Sequence, residues 1–325
     1  MTGQAPGRPS AIKLYGLISL MILVWALNFI VGKFALQDFE PVLLGCLRMS
    51  IAGLLMIPIY SWNAWHPKAT REPAWTRRDF LPLALLGILG VALNQLFFIL
   101  GLNHTSVGHS AIFIGLTPIL VLCFAALRRL EAFTARKLLG MLIALGGIAV
   151  LNLGPSKSSG ATLLGDFLTL LAGATFAMFT VFGKEATRRH GGITVNTFAY
   201  LGSAVLLLPV TAWRALGFDF GAVTLSGWLA LIYMAVFPSV LAYLIYYYAL
   251  TYIPASRVSA FTYAQPPIAT LLAVPLLGES ITHSLVFGGT LVLAGVYVTE
   301  RSAGSEVAAA AAHAQAIPVG SEEQA

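Results

Sequence analysis

Charge is what this sequence has least of. Only 10% of its 325 residues are Asp, Glu, Lys or Arg, against roughly a quarter in ordinary water-soluble domains. With 58% hydrophobic residues and a mean hydropathy of +0.83, the chain has too little polar surface to cover itself in water. Lipid is therefore its solvent. Cysteine is almost absent too. Cys46 and Cys123 both fall in apolar runs, which excludes a disulfide framework and a cysteine metal site. There is no G-x-x-x-x-G-K-[ST] phosphate loop, no H-E-x-x-H and no aspartate-rich diphosphate motif, and no serine–histidine pair comes with a plausible acid. Those absences exclude ATP hydrolysis and argue against an intramembrane enzyme. Neither a cofactor nor a metal is expected. The net charge of +6 resides in short loops between apolar runs, a pattern of membrane topology and not of nucleic-acid binding.

What is present is a series of apolar runs, each near the 20 residues a membrane helix needs. Ten are read, at about 14–34, 41–60, 81–101, 106–127, 135–153, 163–182, 194–213, 225–249, 256–277 and 284–300. The first has no small-residue cleavage site at its end and is kept as a helix. Helices are required because lipid offers no partner to an open backbone amide. With the N-terminus inside, fifteen of the nineteen Lys and Arg residues fall on the cytoplasmic side and three on the other, with Arg48 left inside a helix. That bias places both termini in the cytoplasm of a bacterial inner membrane. Residues 1–13 form a cytoplasmic lead segment. Residues 302–325, rich in Ala, Ser, Glu and Gln, are expected to be a disordered cytoplasmic tail.

The chain also repeats itself. Trp25-Ala26 and Gly32-Lys33 match Phe176-Ala177 and Gly183-Lys184, and Leu55-Met56-Ile57-Pro58 matches Leu206-Leu207-Leu208-Pro209, all at an offset of 151. Pro118, Glu131, Gly140 and Gly147 match Pro266, Glu279, Gly288 and Gly295 at an offset of 148. The halves are 14–153 and 163–301. Each holds five predicted helices, an odd number, so the second half must lie inverted relative to the first. Inverted repeats are an architecture of secondary transporters, with the binding site between the halves near the midplane. The expected fold is thus all-α and polytopic, with ten transmembrane helices in two inverted five-helix repeats.

The stretch GLNHTSVGHSAIFIGLTPILVLCFAALRRLEAFTARKLLGMLIALGGIAVL resembles the core of EamA-type transporters in the drug/metabolite transporter superfamily. YALTYIPASRVSAFTYAQPPIATLLAVPLLGESITHSLVFGGTLVLAGVYV repeats that pattern in the second half, and WALNFIVGKFAL is similar to the family's opening. The resemblance covers nearly all of 14–300. It implies export of amino acids or other small metabolites, with some members carrying drugs or sugars. It also implies that helices one, three, four, six, eight and nine surround a central cavity while five and ten lie outside. Small multidrug exporters of the same superfamily rely on a membrane-embedded glutamate to attract organic cations. Here the helix cores hold no carboxylate, and Asp166 lies at the start of one.

Polar and aromatic residues share faces on those six helices. Trp25 and Asn28 share one, as do Asn94 and Phe98 with Gln95 beside them, then His109, Phe113 and Thr117, and Phe176 and Phe179; Tyr243, Tyr246 and Tyr247 cluster in the eighth helix, and Tyr263 and Gln265 flank the bend in the ninth. Amides and an imidazole are costly in hydrocarbon unless they meet partners or water, so a wet central cavity suits them. The plainer alternative is that each hydrogen-bonds a neighbouring helix and only holds the bundle together. Arg48 is expected in a structural or gating role. Pro118, Pro266 and Pro267 are candidate hinges, because each proline frees a carbonyl four residues back, those of Ile114, Thr262 and Tyr263. The expected partners are a small-molecule substrate and the bilayer, with the chain a monomer or homodimer. An amino-acid exporter is the function these features favour. An uptake permease, a drug exporter and a non-transporting membrane enzyme or scaffold remain alternatives.

Overall fold

The computed structural model describes residues 9–65, 75–104, 113–151, 162–277 and 283–316. Among them there is no strand. The helices are α1 (Ala11–Asp38), α2 (Pro41–Trp65), α3 (Arg77–Gly87), α4 (Asn94–His104), α5 (Thr117–Leu127), α6 (Ala135–Leu151), α7 (Leu163–His190) and α8 (Gly192–Leu216), then α9 (Leu225–Met234), α10 (Ala242–Tyr252), α11 (Ala255–Ala260), α12 (Gln265–Leu277) and α13 (His283–Ala316). Their starts carry local signals. Ser10, Thr162 and Thr224 each accept a backbone N–H three residues on, and Thr76 with Asp79 forms a reciprocal cap on α3.

Six segments among the described residues are long and apolar enough to cross a membrane: Ala11–Asp38, Pro41–Trp65, Arg77–Gly101, Leu163–His190, Gly192–Leu216 and Leu225–Tyr252. Two of these are not uniform α-helices. A π-turn, Ile88–Leu93, joins α3 to α4, and a second, Ala235–Leu241, joins α9 to α10. A 3-10 turn, Phe261–Ala264, joins α11 to α12. The tail departs from expectation, because α13 continues to Ala316. Its last turns are rich in alanine, the strongest helix former, so composition that lacks a hydrophobic face still winds into helix.

The packing follows the repeat. α6 lies along α13, α2 along α8, α4 along α7, and α1 along α9 and α10. Exchanging the halves carries α1 onto α7 and the α3–α4 pair onto α9–α10, so these pairings map onto one another. The two π-turns also correspond, since an offset of 148 carries Ile88–Leu93 onto 236–241.

Close approach is made by small residues, as expected where lipid gives helices no hydrophobic reason to associate. The four glycines that mark the repeat are the contact between α6 and α13. A methyl group added at Gly147 would sit 2.6 Å from the Gly288 carbonyl oxygen, and one at Gly288 would sit 2.7 Å from the Gly147 carbonyl oxygen. Gly140 and Gly295 face each other's helices just as closely.

Candidate functional site

The first group of side chains to assemble is aromatic. Tyr243 on α10 is its centre, with ring centroids 5.7 Å from Trp25, 6.4 Å from Phe176, 6.2 Å from Phe179, 5.5 Å from Tyr200 and 6.5 Å from Tyr246. Trp25, Phe176 and Tyr243 are partly exposed, whereas Phe179, Tyr200, Tyr246 and Tyr247 are buried behind them. Helices from both halves meet here: α1 and α2 from the first, and α7, α8 and α10 from the second.

The π-turn Ala235–Leu241 anchors the group. Pro238 has no N–H to give to the carbonyl of Met234, and the Ser239 hydroxyl donates to that carbonyl at 2.9 Å. Ser239 Oγ in turn accepts the Arg48 Nε–H at 2.7 Å, and the carbonyl of Pro238 accepts the Trp25 indole N–H at 3.0 Å. π-turns inside helices recur at functional sites, and this one ties α1 and α2 to two successive residues. Nearby, Thr180 Oγ1 and the Tyr246 hydroxyl are 2.8 Å apart. The side-chain oxygen of Asn28 and the hydroxyl of Tyr247 are buried without a hydrogen-bond partner among the described residues.

Other candidates are placed differently. Asn94 donates its amide to the carbonyl of Ala172 at 2.8 Å, which ties α4 to α7. Gln95 lies against α2 at Gly45, and Phe98 is partly exposed one turn beyond Asn94. Phe113 is partly exposed ahead of α5. Thr117 is buried and donates to the carbonyl of Ile114 at 2.6 Å, so the carbonyl freed by Pro118 already has a partner. Pro118 and the Pro266-Pro267 pair lie in the first turns of α5 and α12, where proline is tolerated. They start helices after a non-α turn and do not interrupt them. Tyr263 is buried among Leu122, Met141, Ile148 and Val292, between α5, α6 and α13 and apart from the aromatic group. Gln265 is partly exposed at the start of α12. His109 lies outside the described residues.

Tyr200 and Ser239 were not singled out from sequence, and neither was a polar cluster at the end of the bundle where α1 begins and α10 ends. There Glu131 accepts the Ser256 N–H at 3.2 Å and also the Ser256 hydroxyl, with buried Lys137 at 3.8 Å. Arg257 donates to Tyr15 at 2.7 Å and pairs with Glu300, and Lys184 donates to the carbonyl of Ile253 at 2.8 Å. The match of Glu131 with Glu279 in the repeat was the available signal.

A bundle of long apolar helices, repeated in two halves with an aromatic group where they meet, defines a class of polytopic membrane protein. The EamA-like transporter family model matches residues 12–153 and again 163–301, and the chain belongs to that family. It is similar to an uncharacterized transporter of Archaeoglobus fulgidus, 30% identical over 89% of this chain and 99% of that one. It is 28% identical to the uncharacterized transporter YetK of Bacillus subtilis, over 84% of this chain and 82% of that one. The uncharacterized inner membrane transporter YedA of Escherichia coli is 26% identical over 88% and 92% of the two chains. A protein of known crystal structure shares the fold, with a TM-score of 0.74 at 20% identity over 91% of this chain and 99% of that one.

Proposed function

We propose that this chain is a secondary transporter with ten transmembrane helices in two inverted halves. It moves a small amphipathic metabolite, an amino acid or a related solute, out of the cell by alternating access. Its setting is a bacterial inner membrane, with both termini cytoplasmic. The observation that carries this is the group around Tyr243, where partly open aromatic rings from both halves lie against one another. A ring or branched side chain packs on Trp25 and Phe176, and the head of the solute finds hydrogen-bonding groups within a low-dielectric wall. The cluster joining Glu131 to Ser256 and Arg257 to Tyr15 and Glu300 supports a closed cytoplasmic end, which is the outward-facing half of such a cycle.

The test is counterflow in proteoliposomes. Vesicles loaded with unlabelled leucine or phenylalanine are expected to accumulate the labelled amino acid faster than protein-free vesicles. An enzyme or scaffold gives no counterflow with any solute, and that result across an amino-acid panel would overturn the proposal. Orientation has its own check. Cysteines introduced at positions 71 and 157 should label from opposite faces of the membrane, and labelling of both from outside sinks the topology.

A further inference from the structure

Arg48 has an incomplete environment. It lies within α2, in a segment apolar enough to cross a membrane, and a guanidinium remains charged there because arginine is effectively never deprotonated in proteins. Its Nε–H goes to Ser239. Its two terminal NH2 groups have no hydrogen-bond partner among the described residues, and no carboxylate among them pairs with it. A cation left this way in a membrane interior is costly, and such residues mark substrate and ion pathways.

Its position is the second observation. Ser239, which holds the Arg48 Nε–H, follows directly on Pro238, whose carbonyl holds the Trp25 indole. Tyr200 and Tyr243 are its electrostatic neighbours. The guanidinium is thus fixed at the edge of the aromatic group through Nε, which leaves the end-on pair of terminal NH2 groups free.

The repeat supplies the third observation. The offset of 151 that carries Trp25 onto Phe176 carries Arg48 onto Ala199, and Ala199 packs against the backbone of α3 at Gly87. A structural need common to the two halves would arise at both equivalent positions. Only one of them carries a charge, so the charge serves something that the halves do not share.

We propose that Arg48 is the anion-binding residue of the transport site, and that the transported solute carries a single carboxylate. Its two carboxylate oxygens meet the free NH2 groups in the two-pronged geometry that guanidinium favours. The apolar part of the solute lies on Trp25, Phe176 and Tyr243. A phosphate would call for more than one buried cation, and the described site holds one. This deepens the proposed function and rests on this group of residues being the transport site.

The experiment compares four probes of one shape: L-phenylalanine, 3-phenylpropionate, L-phenylalaninamide and 2-phenylethylamine. Binding is read by thermal stabilisation of the purified full chain, and transport by counterflow, for wild type, Arg48→Gln and Arg48→Lys. The two carboxylates should stabilise the wild type while the amide and the amine do not. In Arg48→Gln the apparent Kd for the carboxylates should weaken at least about tenfold and their advantage disappear, with Arg48→Lys in between. Without ligand, Arg48→Gln should unfold at the wild-type temperature or above it, because an uncompensated charge has been removed; a brace between α2 and the π-turn would instead lower it. Equal response of the wild type to acid and amide, or an unchanged carboxylate preference in Arg48→Gln, overturns the assignment. If acid and amide are both transported equally, Arg48 is not the determinant but the transporter proposal stands. If no solute of any kind undergoes counterflow, both fall.

Discussion

Gly147→Leu is expected to leave almost no folded protein in the membrane, while Gly146→Leu should be produced and unfold close to the wild-type temperature. The two glycines are adjacent in α6 and equal in helix propensity, so only their surroundings separate them. A methyl group at Gly146 meets nothing within 4 Å. One at Gly147 meets the Gly288 carbonyl oxygen at 2.6 Å and the Val292 amide nitrogen at 2.7 Å. Those are backbone atoms of α13, which cannot swing aside as a side chain does. The whole helix must move, and the reciprocal contact at Gly288 moves with it. Overpacking a well-fitted interior costs typically about 1–3 kcal/mol even where side chains can adjust, and a leucine against backbone exceeds that. Yield by size-exclusion chromatography and the thermal midpoint of the detergent-solubilised protein decide the matter. Equal behaviour of the two variants would show that α6 and α13 do not approach as described.

Those glycines show how much of the fold was legible in the sequence. Their spacing, with Pro118 and Pro266, revealed the repeat, and a repeat leaves its trace in residue identity because backbone contact admits no other residue. The turns left no such trace. Ile88–Leu93 is an apolar run like any other, and Pro238 marks the equivalent turn in the second half alone. Each non-α turn rotates all that follows. A 3-10 turn has 3.0 residues per turn and an α-helix 3.6, a difference of about 20° per residue. Tyr263 sits inside such a turn and faces α6 and α13, away from the aromatic group with which the family resemblance had it line a cavity. Asn94 follows a π-turn, and its amide is spent on the Ala172 carbonyl. Periodicity groups residues by helix face. It carried no information about which neighbour each would meet, and so the pairing of Arg48 with Ser239, 191 residues away, was out of its reach.

Trp25→Ala should reduce transport by about two orders of magnitude at equal reconstituted protein, and Trp25→Phe by about tenfold. Trp25 combines two interactions that these variants separate. Its ring lies 5.7 Å from both Tyr243 and Tyr246, edge-on to the first, and its indole N–H holds the carbonyl of Pro238 at 3.0 Å. Phenylalanine keeps a ring against the tyrosines and removes the hydrogen bond, leaving that carbonyl without its donor. An unmade hydrogen bond of this kind costs about 1–3 kcal/mol, and 1.4 kcal/mol is a factor of ten. Alanine removes the ring as well. Replacing a packed tryptophan by alanine costs about 3–5 kcal/mol in a closed core. Trp25 is only partly covered by protein, so part of that loss is borne by whatever lies on its open face. A solute packed there loses its platform, and Tyr243 loses the neighbour that fixes its ring on the α1 side. Trp213, at 69% exposed and far along α8, is the control; its alanine variant should transport like the wild type. The separation matters more than the size. If Trp25→Ala lowers the thermal midpoint and the transport rate in the same proportion as an unrelated core substitution such as Leu122→Ala, then Trp25 is bundle packing. If transport falls far more steeply than stability, the open face of the indole is where the solute sits. Counterflow rates and midpoints measured on the same preparations distinguish the two, and wild-type transport by Trp25→Ala would remove the aromatic group from the transport site altogether.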